Sequence, residues 1–63
     1  MDAMRTRRLA RGLTQQQVAD RVGIHRTAYV RLERGARLPR VDVALRLARV
    51  LGCRVEDLFS QGP

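Results

Sequence analysis

The 63-residue chain contains no lysine; all 13 of its basic residues are arginine. It holds one cysteine and one histidine. A single cysteine excludes an internal disulfide, and one cysteine with one histidine excludes a three- or four-ligand Cys/His zinc site. There is also just one serine and no phosphate-cradling glycine loop, so the residues offer no catalytic constellation. Neither an enzyme nor a bound cofactor or metal is expected. The arginine-rich start, MDAMRTRRLARGL, has no apolar run longer than three residues. A secretory signal needs an apolar stretch of about 7–15. No segment approaches the length of a membrane span. Repeats, low-complexity runs and strand-like alternation are missing too, so a cytoplasmic, all-α protein is expected.

What is present is compact in extent and lopsided in charge. A chain this short buries only about 60% of the surface it exposes when unfolded. Hydrophobic residues make up 44%, enough for one small core. A single domain over residues 1–63 is expected, its core spanning about 4–59. Up to Arg40 there are ten arginines against three acids, which gives +7; from Val41 onward three arginines balance Asp42, Glu56 and Asp57. The whole net charge of +7 therefore sits in the first forty residues. That asymmetry is the footprint of a polyanion-binding face followed by a neutral module.

Glycines at 12, 23, 35 and 52 each follow a helical pattern, where a residue of positive φ is wanted to end the helix. They divide the chain into five predicted helices. The first, about Ala3 to Arg11, carries Met4 and Leu9 inward. Thr14 and Gln17 form a T-x-x-Q capping box that opens the second, with Val18, Ala19 and Val22 on its buried side. The third runs from about Arg26 to Arg34. Pro39 keeps the ARLPR segment out of helix. The fourth, about Val41 to Leu51, has apolar residues over roughly 220° of its wheel, against the ~100° of an ordinary surface helix. Asp42, Arg46 and Arg49 mark its wet side. A short fifth, about Val55 to Phe59, adds Val55, Leu58 and Phe59 before a tail at Gln61-Gly62-Pro63.

The most informative stretch is Thr14 to Gly35, two short helices around a turn at Gly23. Stepping about 100° per residue from Arg26 places Arg26, Val30, Arg34, Thr27 and Arg31 on one arc and Ala28, Leu32 and Tyr29 opposite. The apolar arc can pack on the domain and leave the basic arc free. A helix held in that way is what a DNA major groove admits. Glu33 is out of place on physical grounds: a carboxylate in the last helical turn opposes the macrodipole, so it needs a compensating partner.

GLTQQQVADRVGIHRTAYVRLERGARLP, followed by ALRLARVLGCRVEDLF, resembles the Cro/cI-like (Xre) helix-turn-helix family of phage and bacterial repressors. The match runs from about Met4 to Phe59 through Leu13-Thr14-Gln15, Ala19 with Gly23, Leu32-Glu33-Arg34-Gly35, Pro39 and Leu51-Gly52. The resemblance implies a five-helix, lambda-repressor-like fold with its helix-turn-helix at residues 14–34, double-stranded DNA as partner and a place at the nucleoid. It implies that the front of the third helix enters the groove, which makes Arg26, Thr27, Val30 and Arg31 candidates for reading bases. Arginine suits guanine O6 and N7, threonine a base edge, and valine the thymine methyl. The competing reading is a solvated face with incidental phosphate contacts. Arg34, nearer the helix exit, is assigned to phosphate, as are Gln15, Arg37 and Arg40 at family phosphate positions. By the same resemblance the partner of Glu33 is Arg8, in a structural ion pair.

Two positions depart from the family. His25 stands where a serine or threonine N-cap is usual, and is a candidate for a phosphate or base contact or an ordinary surface histidine. Tyr29 stands where isoleucine or valine is usual, and its hydroxyl needs a polar partner. Cys53 replaces a small aliphatic residue and reads as a small hydrophobe. The expected function is a transcriptional regulator, chiefly a repressor, acting as a homodimer on an inverted-repeat operator. Val43, Val50, Leu58 and Phe59 are the candidate dimer contacts. The alternatives are an antitoxin-type or restriction-modification controller protein, the DNA-binding end of a larger regulator, or a protein-interaction module whose basic face meets an acidic partner.

Overall fold

In the computed structural model, which describes residues 2–59 apart from the Asp2 side chain, five helices and no strand occur among the described residues. They are α1 Asp2–Ala10, α2 Gln15–Val22, α3 Arg26–Glu33, α4 Val41–Leu51 and α5 Val55–Phe59. The predicted tail at Gln61-Gly62-Pro63 lies outside the described residues. The fold is all-α, as expected.

At α2 the capping box forms in both directions. The Gln17 amide donates to Thr14 Oγ1 at 3.0 Å, and the Thr14 amide donates to Gln17 Oε1 at 2.8 Å. Two amides that helix geometry would leave orphaned are thereby satisfied. Thr14→Ala is expected to cost about 1 kcal/mol, which in a domain of this size lowers the melting temperature by about 4–8 °C. A thermal scan that shows no shift would remove the cap from the account of stability.

α2 ends at Gly23, whose φ of 85° lies in the left-handed region that a Cβ disfavours. The amides of Gly23 and Ile24 both donate to Ala19 O, at 2.8 and 3.0 Å, and so turn the chain sharply into α3. Arg46 reaches this turn from α4: its Nη1 donates to Val22 O at 2.9 Å while Nη2 pairs with Asp42 at 3.2 Å. A cation on the last carbonyls of α2 is favoured by the macrodipole. Arg46, expected on the wet side of its helix, thus ties α4 to the turn before α3.

The core draws on every helix: Met4 from α1, Val18, Ala19 and Val22 from α2, Tyr29 and Leu32 from α3, Leu47, Ala48 and Leu51 from α4, and Leu58 from α5. α2 lies against α3 and α4, while α1 packs on α3, α4 and α5. Leu9 was expected inside and is not; it is 54% exposed. Residues four apart stack on one helix face, whereas residues five apart do not. The inward place one turn after Met4 therefore falls to Arg8, 7% exposed, which meets a buried carboxylate there.

The apolar arc of α4 is divided. Ala44, Leu47, Ala48 and Leu51 are buried, Val43 and Val50 are half-buried, and Val41 and Leu45 are open to solvent at 77% and 50%. Leu58, a candidate for subunit contact, is a core residue at 3% exposure. It is spent on the inside of its own domain.

Candidate nucleic-acid interface

The outward face of α3 depends on a buried polar cluster beneath it. Arg8 Nε and Nη2 donate to Glu33 Oε2 and Oε1 at 2.8 and 3.1 Å, a two-pronged contact between α1 and the end of α3. Arg8 Nη1 also donates to Leu13 O at 2.9 Å. The Tyr29 hydroxyl, one turn before Glu33, donates to Glu33 Oε2 at 2.6 Å. From the start of α2, Gln15 Nε2 donates to Glu33 Oε1 at 3.3 Å. One carboxylate thus gathers donors from three helices, and no buried side-chain polar atom among the described residues lacks a hydrogen bond.

Burial pushes the Glu33 carboxyl up, but the hydrogen bonds from Arg8 and Tyr29 and the Arg8 charge outweigh it. The carboxyl ends below its ordinary value of 4.5. Burial, followed by the bond to Glu33, pushes the Tyr29 phenol well above its ordinary 10.0, so it remains a donor. A carboxylate whose folded pKa is depressed contributes stability that is complete above its unfolded value. That contribution is lost as pH falls through the folded value. Urea midpoints should therefore be level from pH 7 to about 5 and fall below about 4.5, the ordinary glutamate value. A Glu33→Gln variant should lack this particular acid limb.

Above the cluster, Arg26, Thr27, Arg31 and Arg34 are exposed and Val30 is half-buried, while Tyr29, Leu32 and Glu33 face the core. Neither Arg26, Arg31, Arg34 nor Arg37 takes part in an ion pair among the described residues. Arg40 is only loosely held, 4.0 Å from Asp42 with 86% of its side chain exposed. His25 occupies the N-cap of α3 with extended backbone and makes no side-chain cap, so it is exposed at the positive end of the helix.

The turn at Gly23 brings further candidates together. Arg37 and Arg40 line a shallow hollow with Gly23, Ile24 and Ala28, so the loop after α3 returns beside the start of that helix. Gln15 is placed differently. It is half-buried and its amide nitrogen is engaged by Glu33, which makes it a support of the buried cluster whatever its carbonyl meets. Arg46 at the turn went unrecognised in the sequence; its only signal was an arginine four residues after Asp42, a spacing that also suits an ordinary surface pair. Cys53 is half-buried, and burial pushes its thiol up despite the nearby charges of Arg7 and Arg11. Little thiolate is left for chemistry.

Among the described residues no group of three or more His, Cys, Asp or Glu is placed to hold a metal. No helix there is long and apolar enough to cross a membrane.

The order of α2, glycine turn and α3 is that of a helix-turn-helix. A helix-turn-helix family profile matches residues 4–58. The chain is similar to an uncharacterized HTH-type transcriptional regulator of Archaeoglobus fulgidus, 43% identical over 60 residues that cover 89% of this chain and 86% of the relative. A protein described in the same words from Methanothermobacter thermautotrophicus is 42% identical over 57 residues, covering 89% of this chain and 83% of the relative. The cryptic phage CTXphi transcriptional repressor RstR of Vibrio cholerae is 30% identical over 57 residues, covering 90% of this chain and 51% of that protein. No solved structure gives a significant match.

Proposed function

This chain belongs to the helix-turn-helix family, and from that premise we propose that it regulates transcription by binding a specific sequence of double-stranded DNA as a homodimer, acting as a repressor. The observation that carries the reading is the face of α3: Arg26, Thr27 and Arg31 stand exposed, and the two arginines have no acidic partner among the described residues. The opposite side of the same helix is locked down by Tyr29, Leu32 and Glu33. Arg26 and Arg31 read guanines, Thr27 reads a base edge and Val30 touches a thymine methyl. Arg34, Arg37, Arg40 and His25 hold phosphates, which set the register of the protein on the duplex without reading sequence. Two copies place their α3 helices in successive major grooves, with half-site centres about 34 Å apart. Occupancy of such a site within a promoter excludes polymerase.

The experiment is selection of bound duplexes from a random pool, followed by measurement on the enriched sequence. An inverted repeat with half-sites one helical turn apart is expected. Arg26→Ala and Arg31→Ala should each weaken binding to it by about 1–3 kcal/mol, or roughly 5- to 150-fold, and relax the preference at one base position. Non-specific affinity should change far less. Retention of full affinity by both variants would instead point to a basic face that meets an acidic protein.

A further inference from the structure

The two ends of α3 are held in different ways. Its exit is pinned by Glu33, which Arg8 and the Tyr29 hydroxyl grip from below. Its entry carries Arg26 and Thr27, and has no side-chain clamp of that kind among the described residues. His25 makes no side-chain cap there. Only Gly23, Ile24 and His25 separate α3 from α2, and Gly23 has the left-handed backbone that serves a hinge as readily as a turn. Ile24 is half-buried against the core and holds the inner side of the turn.

Arg46 covers the outer side. Its Nη1 donates to Val22 O, and the same nitrogen lies 3.5 Å from the place that a Cβ on Gly23 would take. Nη2 donates to Asp42, four residues earlier on α4. A planar guanidinium with one nitrogen on the turn and the other on its own helix is fixed in direction as well as in place. About half of the Arg46 side chain is exposed, so the contact adds little to stability. Its effect is on angle. The eight residues of α3 make a rod about 12 Å long, so a swing of about 10° about the pinned exit carries Arg26 about 2 Å. A hydrogen bond to a base edge tolerates only a few tenths of an ångström. Asp42 also faces Arg40, at 4.0 Å. One carboxylate thus stands between an arginine assigned to phosphate and the arginine on the turn.

We propose that Arg46 is a positioning residue: it sets the angle at which α3 leaves the glycine turn, and through that angle the sequence specificity of binding, without touching a base. Asp42 holds its guanidinium in the required plane. The consequence for specificity rests on the DNA-binding reading, whereas the tie itself does not. Without the tie the entry of α3 samples several angles, and Arg26 and Thr27 meet correct and incorrect sequences on more equal terms. Contacts to phosphate carry no sequence information, so non-specific binding survives.

The test compares Arg46→Met, which keeps the length of the side chain, with Arg46→Lys, which keeps its charge but not the fork that fixes direction. Circular dichroism should show the full helical signal in both. Hydrogen exchange without DNA reads the tie. The amides of Gly23 and Ile24, which donate to Ala19 O, should exchange about fivefold faster in Arg46→Met, the factor that one hydrogen bond is worth. The Leu13 amide, bonded to Arg8 O, should keep its rate. On the enriched duplex Arg46→Met should bind about tenfold more weakly, the discrimination of one base contact, while affinity for an unrelated duplex falls far less. Arg46→Lys should show most of that loss of specificity at the wild-type salt slope, and Asp42→Asn a smaller loss in the same direction. If Arg46→Lys matches the wild type and Arg46→Met weakens both duplexes equally, the arginine acts by charge alone and the proposal is overturned. An unchanged ratio of specific to non-specific affinity in both variants also overturns it. A wild type that prefers no duplex overturns the regulator reading; the tie is then judged at Gly23 and Ile24, where faster exchange in Arg46→Met supports it and an unchanged rate overturns it.

Discussion

Arg8→Ala should cost the domain more than half of its stability at room temperature, measured as a steep fall of the urea midpoint. The substitution strands Glu33, 7% exposed, beneath α3 without its guanidinium. Removing one partner of a buried pair costs about 3–5 kcal/mol, because the remaining charge is left uncompensated in a poor solvent. A domain of this length has a total stability on the order of 3–9 kcal/mol. At the middle of both ranges the loss is about two thirds of the total. Glu33→Ala should be as severe, since it orphans Arg8, the Tyr29 hydroxyl and the Gln15 amide together. Arg8→Met combined with Glu33→Leu removes both charges and should recover much of the deficit. It should remain short of wild type because Tyr29 and Gln15 then lack their acceptor. If Arg8→Ala unfolds within 1 kcal/mol of the wild type, the cluster is not what holds α3 to α1.

Salt should have an effect of similar size on DNA binding. Arg34, Arg37 and Arg40 on each of two subunits neutralise six phosphates in the proposed complex. Each phosphate contributes about −0.9 to the slope of log affinity against log salt, so the expected slope is about −5. Between 50 and 200 mM salt, affinity for the enriched duplex should drop roughly a thousandfold. Arg37→Ala should reduce the slope by about 2 for the dimer, one phosphate on each copy, with little change in sequence preference. Arg26→Ala should do the reverse. Fluorescence anisotropy across that salt range separates the two, and a wild-type slope shallower than about −2 would mean that these arginines do not grip the backbone.

Much of the fold could be read along the chain because its signals are local. A capping box spans four residues, a glycine of positive φ ends the helix just before it, and a period of 3.6 is visible within one helix. The bounds of α4 and α5 follow from Pro39, Gly52 and the apolar pattern, and the structure has the same bounds. The exposed arc of Arg26, Thr27, Arg31 and Arg34 follows in the same way from the wheel of a single helix.

What residue order leaves open has one physical origin: it concerns which element crosses which. Leu9 looks like a core residue by composition, yet the place inside goes to Arg8, because Glu33 arrives from 25 positions later. Gln15 opens a helix and suits a phosphate, and its added bond to Glu33 comes from 18 positions away. Arg46 appears to be a solvated side chain until Val22 O is brought within 2.9 Å. A wheel of α4 counts apolar residues without saying which half of the arc α2 and α5 cover. Residue order was enough to establish the helices, their caps, the uneven charge and the face that α3 turns outward, since each arises from neighbours within a turn or two. The buried cluster and the tie from α4 to the glycine turn came from three-dimensional packing, because burial is set by contacts between residues far apart in the chain and hydrophobicity ranks side chains without placing them.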